Sequence, residues 1–168
     1  MKTTVEKAKA ENWFPAFKLV RGAYMEKERE RAAKMGYPSP IHKNKNDADH
    51  DYNSALDYCV DYFPFVSVFA GTHNEESSLH LVKKMADKKI ERADERIYFS
   101  QLFGMSDNIS FNLGSEGYNV AKYIPYGPVK DVMPYLIRRA EENTSVAGQT
   151  GRELKLITSE ISRRKGKN

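Results

Sequence analysis

Phe65-Val66-Ser67-Val68-Phe69-Ala70, closed by Gly71-Thr72-His73-Asn74, is the stretch on which the fold turns. Its residues are β-branched, aromatic or small, and a glycine-led polar turn ends the run, so it reads as a strand. Behind it, Leu79, Val82 and Met85 recur at helical spacing in a polar segment. The same strand–turn–helix unit appears on both sides. Upstream, Phe17-Lys18-Leu19-Val20 runs into Arg21-Gly22-Ala23-Tyr24, and a charged helix from Met25 to Met35 stops at Gly36 and Pro38. A polar loop over Tyr37 to Asn46 leads to a second helix, Asp47 to Tyr62, with Tyr52, Ala55, Leu56, Cys59 and Val60 on its apolar stripe; Pro64 breaks it. Downstream, Ile97-Tyr98-Phe99-Ser100 enters the turn Gln101-Leu102-Phe103-Gly104-Met105, with a short helix or turn filling the space to Gly117. The fourth strand, Val120 to Ile124, ends at Pro125-Tyr126-Gly127-Pro128. The spacing predicts a helix over Val132 to Asn143, with Asp131 as its cap and Pro134 in its first turn, and a terminal helix over Glu153 to Arg164.

Strands alternating with helices imply an α/β fold of about four parallel strands. Two architectures fit: an open doubly wound sheet, or half of a (βα)8 barrel. A complete barrel takes about 250 residues, and this chain has 168. In either architecture the chemistry lies at the C-terminal ends of the strands, where the unusual polar residues cluster.

Composition removes several classes. No apolar run approaches the roughly 18 residues of a membrane span. The first residues, MKTTVEKAKAENW, carry positive charge without an apolar segment and do not read as a secretory signal. One cysteine, Cys59, excludes an internal disulfide framework and a multi-cysteine metal site, and its mid-helix position suits a small buried hydrophobe. The net charge of +4 is mild, and part of it sits at Arg163, Arg164, Lys165 and Lys167. That tail suits a solvated helix end; anionic lipid or nucleic acid is the sharper alternative, without an RNA-binding signature or stacking platform to support it.

Several residues could carry chemistry. Tyr135, Arg138, Arg139 and Glu142 fall at i, i+3, i+4 and i+7 and share a helix face. Two adjacent guanidinium groups suit a small carboxylate, and Glu142 could hold Arg138; an ordinary solvated ion pair is the plain alternative. Gly22 lets the backbone of its turn approach a ligand beside the Arg21 cation, either a phosphate or the polar edge of a flavin. Lys18 is unexpected in an otherwise apolar strand. Thr72 and His73 offer a hydroxyl and an imidazole after a strand, but no second ligand at helical spacing supports a metal there. No nucleophile elbow, Walker motif or Gly-x-Gly-x-x-Gly is present.

The segments Lys18 to Met25, Thr72-His73-Asn74, Gln101 to Met105, and Lys122 to Pro128 through Tyr135 to Asn143 resemble proline dehydrogenase, in order and with compatible spacing from about Asn12 to Val146. The wording around Tyr123-Ile124-Pro125-Tyr126-Gly127-Pro128-Val129 looks like the single-activity forms. The resemblance implies a distorted (βα)8 barrel that oxidises L-proline to 1-pyrroline-5-carboxylate, with FAD accepting a hydride and passing electrons to a membrane quinone. Arg138 and Arg139 match the pair that clamps the substrate carboxylate, and Glu142 matches a carboxylate supporting them. Tyr24, Tyr123 and Tyr135 match residues walling the substrate pocket. Arg21, Gly22 and Ala23 match one flavin-contacting turn, and Thr72 and His73 a second. Lys18 sits where the family has a basic residue, often Arg, beside the reactive flavin nitrogen.

The match begins just before the family's fifth strand. The chain is therefore expected to be a partial proline dehydrogenase catalytic domain over residues 1–168, the C-terminal half of the barrel, with the terminal helix at 153–165. A missing N-terminal half or a second copy would close it. A flavin- or anion-binding module without turnover is the alternative. Proline dehydrogenase implies a cytoplasmic protein, peripheral to the inner membrane, or a mitochondrial one in a eukaryote, with no nucleic-acid partner.

Overall fold

The computed structural model describes residues 1–22, 24–145 and 149–166; the side chains at 138 and 140–153 lie outside that description. The chain divides into two compact units, Met1–Tyr123 and Ile124–Asn168. The first contains α1 (Lys2–Glu11), β1 (Ala16–Leu19), α2 (Met25–Met35), α3 (Lys45–Asp61), β2 (Ser67–Gly71), α4 (Glu75–Asp87), β3 (Ile97–Leu102), α5 (Asp107–Ser115) and β4 (Val120–Tyr123). The second contains α6 (Val129–Ser145) and α7 (Gln149–Lys165).

The strands form one sheet in the order β1-β2-β3-β4, and every pair is parallel. A doubly wound sheet reverses its strand order at a switch point and carries helices on both faces. Here the order never reverses, and alternate strand residues show that one face holds the core. Val68 and Ala70 of β2 and Ile97 and Phe99 of β3 are buried with Leu56, Cys59 and Val60 of α3, Leu81 and Met85 of α4, and Ile109 and Leu113 of α5. Phe17 and Leu19 of β1 and Val120 of β4 pack against this cluster. The sheet is thus an arc of a (βα) barrel with its helices outside.

Several boundaries differ from those the sequence predicts, each for a local reason. α3 begins at Lys45 because the Asn44 side chain caps it, accepting from the Asp47 backbone N–H at 2.9 Å. β3 runs on through Gln101 and Leu102; Gln101 is buried and finds partners for both ends of its amide. Val20 lies beyond the end of β1 and is exposed. α6 starts at Val129, so Pro134 lies inside the helix and not in its first turn, while Asp131 is a first-turn residue and not the cap. Instead the Pro128 carbonyl accepts from Asp131 and Val132 at 2.9 and 3.1 Å and starts the helix. Pro134 itself has no N–H for the next intrahelical bond. α1 was unexpected: it buries only Val5 and Ala8, too few residues to show a periodicity.

The ends of β1 and β2 approach closely. A Cβ at Gly71 would lie 3.0 Å from the Leu19 carbonyl oxygen and 3.0 Å from Val20 Cγ1. The backbone oxygen cannot swing aside, so Gly71→Ala is expected to lower unfolding free energy by about 1–3 kcal/mol in denaturant melts.

Burial pushes the Cys59 thiol up to about 12. In the unfolded chain it ionises near its ordinary value of 9.0. Stability from the neutral thiol is therefore complete below pH 9 and falls as pH rises from 9 toward 12. Denaturant melts at pH 8 and pH 10 should show about 1 kcal/mol more loss in the wild type than in Cys59→Ala.

Candidate functional site

Parallel pairing brings the C-terminal ends of all four strands to one rim of the sheet, and the turns leaving them start α2, α4, α5 and α6. Arg21 follows β1. Its guanidinium lies in the helix-side part of the rim, where Nη1 meets the Asp49 carboxylate of α3 and donates to Ser77 Oγ at 3.2 Å. Nη2 donates to Thr72 Oγ1 at 2.5 Å, and the Tyr52 ring lies 4.3 Å beneath the guanidinium carbon. Burial pushes the Tyr52 phenol well above its ordinary value, against the opposing pull of the Arg21 charge, so it is neutral at any physiological pH.

Thr72 is the centre of the next turn. Its hydroxyl also accepts from the Asn74 backbone N–H at 3.1 Å, and its carbonyl accepts from Gln101 Nε2 at 3.2 Å. Asn74 caps α4, its side chain accepting from the Ser77 N–H at 3.0 Å. Ser110 of α5 donates to Gln101 Oε1 at 2.9 Å, and His73 Nδ1 lies 2.9 Å from Ser106 Oγ in the β3–α5 turn. Lys122 of β4 donates to the Met105 carbonyl at 2.8 Å and to Asp107 at 2.7 Å. One polar network therefore joins the turns after β1, β2 and β3.

The opposite face of the sheet is different in kind. Lys18, Phe69 and Tyr98 occupy one register row across β1, β2 and β3, on the side away from the core. The Phe69 and Tyr98 rings stack with centroids 5.9 Å apart, and Lys18 Nζ sits 5.5 Å from the Phe69 ring and 5.1 Å from that of Tyr123. Among the described residues Lys18 pairs with no carboxylate; its charge rests on aromatic faces. A cation held by aromatic faces, with no carboxylate among the described residues, suits a flat ligand with an electron-rich edge.

In the second unit, α6 carries Tyr135, Arg138, Arg139 and Glu142 on its backbone. Tyr135 and Arg139 are half-buried, with the Arg139 guanidinium carbon 5.5 Å from the Tyr135 ring, whereas Met133, Leu136 and Ile137 are exposed. The apolar side of this helix faces outward and the polar pair is sheltered, the reverse of an ordinary surface helix. The side chains of Arg138 and Glu142, and the residue Ala23, lie outside the described residues.

A family model described as proline dehydrogenase matches residues 1–152. The chain belongs to the proline dehydrogenase family. It is 44% identical over 163 residues to proline dehydrogenase 1, mitochondrial, of Homo sapiens, a match covering 95% of this chain and 27% of that protein. It is 42% identical over 151 residues to hydroxyproline dehydrogenase of Xenopus laevis, covering 88% of this chain and 32% of the relative. Among solved structures, proline utilization A from Bdellovibrio bacteriovorus, inactivated by N-propargylglycine, superposes with a TM-score of 0.79 at 29% identity, over 87% of this chain and 15% of that one. The chain spans about a quarter to a third of the length of the curated relatives it matches.

Of the residues that the proline dehydrogenase resemblance singles out, the structure joins Lys18 to Tyr123 and Arg21 to Thr72, and sets Gly22, at φ 76°, beside Arg21 in the first turn. His73 adjoins them through the β2–α4 turn. Tyr24 is not drawn in: it is 70% exposed in a left-handed conformation ahead of α2, with Lys27 5.8 Å from its ring. Sequence reasoning missed Asp49, Tyr52 and Ser77, which bind Arg21 across separations of 28 to 56 residues. Only the Asn74 cap had a local signal, Asn followed by Glu75 and Glu76 at a helix start. Among the described residues no group of three His, Cys, Asp or Glu is placed to hold a metal ion, and no helix is long and apolar enough to cross a membrane. Asn74→Ala is expected to cost about 1 kcal/mol in thermal or denaturant unfolding through loss of the α4 cap.

Proposed function

We propose that this chain forms the substrate- and flavin-binding half of an enzyme that oxidises L-proline to 1-pyrroline-5-carboxylate. The observation that carries the reading is Lys18 held against Phe69 and Tyr123 on the open sheet face, in a chain of this family. That face fits the isoalloxazine of FAD, a flat ring system with an electron-rich edge. Lys18, with the turns of Arg21, Gly22 and Ala23 and of Thr72 and His73, would hold it; when bound it supplies a two-electron acceptor.

The residues of the chain do the rest. Arg138 and Arg139 clamp the proline carboxylate through paired N–H donors, with Glu142 supporting them. Tyr123 and Tyr135 wall the ring and keep water from it. Lys18 would place a positive charge beside the bound acceptor, on which negative charge accumulates as a hydride is removed from the ring carbon next to nitrogen, while the substrate nitrogen gives up its proton to solvent. The electrons leave to a quinone in the membrane, which would place the enzyme at the membrane surface; the human relative is named mitochondrial. β1 and β4 each pair on one side only in the sheet, so closing the barrel takes further strands, from more of the polypeptide or from a second copy.

The test is the visible spectrum of the purified chain with FAD, before and after anaerobic addition of L-proline. A flavin band that bleaches supports the reading, and Arg138→Met should then weaken proline affinity by roughly 100-fold. A parallel addition of 4-hydroxyproline decides between the activities named for the human and Xenopus relatives. A bound flavin that neither proline bleaches leaves a flavin-binding module without turnover, and overturns the proposal.

A further inference from the structure

The proposed function assigns no role to the group that holds Arg21. The side chains of Arg21 and Asp49 are only 18% and 21% exposed. A guanidinium so placed requires a counter-charge, since an unpaired ion there loses its water without compensation. Asp49 is its only ion-pair partner among the described residues. The carboxylate is itself anchored twice, by Lys45 one turn earlier on α3 and by Asn74 Nδ2 at 3.4 Å.

The geometry over-determines the direction of Arg21. Asp49 and Tyr52 are three residues apart on α3 and so share a face, one engaging the edge of the guanidinium and the other its plane. From the β2–α4 side, Ser77 accepts from Nη1 and Thr72 from Nη2. Arg21 is therefore a tie between the turn after β1 and the turn after β2. Gly22, the next residue, has open space where a Cβ would stand.

We propose that Asp49 is a positioning residue: by neutralising and aiming Arg21 it locks the β1–α2 turn to the β2–α4 turn, and so presents Gly22 and Thr72 to the flavin together. The positioning of Arg21 stands on the geometry alone; its consequence for the flavin rests on the function proposed above.

Two measurements on the 168-residue chain separate these parts. In ¹⁵N spectra of the arginine side chains without ligand, the Arg21 guanidinium should give slowly rotating, resolved N–H signals. These should collapse to averaged signals in Asp49→Asn and return in Asp49→Glu, which keeps the charge. Arg21 signals as averaged in the wild type as those of exposed Arg29 overturn the proposal, and that result needs no variant to fold. By flavin fluorescence quenching, Asp49→Asn should weaken FAD affinity by about tenfold, with recovery in Asp49→Glu. Equal affinity in the wild type and Asp49→Asn overturns the flavin consequence. A wild-type chain that takes up no FAD counts against the proposed function alone, and the arginine spectra then decide the role of Asp49.

Discussion

Parallel pairing of consecutive strands is the constraint on which the remaining features depend. Each strand must return to the starting edge through a crossover, and the crossover helices α3, α4 and α5 cover one face of the sheet. All four strands then end at the same rim. Residues as far apart as Arg21, Thr72, His73 and Ser106, in the turns, and Lys122, near the end of β4, meet there because β-strand register brings the strand ends side by side. In the first unit α4 and α5 start directly after such turns, so their unpaired N–H groups and positive dipole ends also face that rim.

The two faces of the sheet divide the work. On the helix side, Leu56, Leu81, Met85, Ile97 and Phe99 are fully or almost fully buried and supply the stabilising apolar contact. On the other side, the same strands present Lys18, Phe69 and Tyr98. Alternation of side chains along a strand is what allows one segment to do both: Phe69 belongs to the open face while Val68 and Ala70 belong to the core. Gly71 completes this arrangement by leaving room for the end of β1 beside the end of β2.

Between the faces lies a polar network through Asp49, Arg21, Thr72, Gln101 and Ser110. Buried polar groups at this density stabilise a fold only if their partners are satisfied, and each of these is tied to at least one neighbour on another element. The network ties the turns after β1, β2 and β3 to one another. In the second unit, α6 keeps Tyr135 and Arg139 half-buried while Met133, Leu136 and Ile137 are exposed.

By itself, the sequence determined the strand–turn–helix repetition, the buried mid-helix Cys59, and the motifs that mark the family, because these are written in local spacing and residue type. Hydrophobic period separates strand from helix within a dozen residues, and the turns after Val20 and Ala70 announce themselves by Gly22 and Gly71. Hydrophobic spacing left the barrel arc and the doubly wound sheet both open, and only the family resemblance pointed to the arc; strand order and the covered face, being properties of pairing between distant segments, are visible in the tertiary structure. It also supplied the partners of Arg21. Asp49 and Tyr52 read in sequence as ordinary polar and apolar positions of α3, and only the β1–α2–α3–β2 crossover carries them back to the guanidinium 28 residues earlier. α1 escaped notice for the same reason: two buried side chains make no period, and their burial depends wholly on what lies against them.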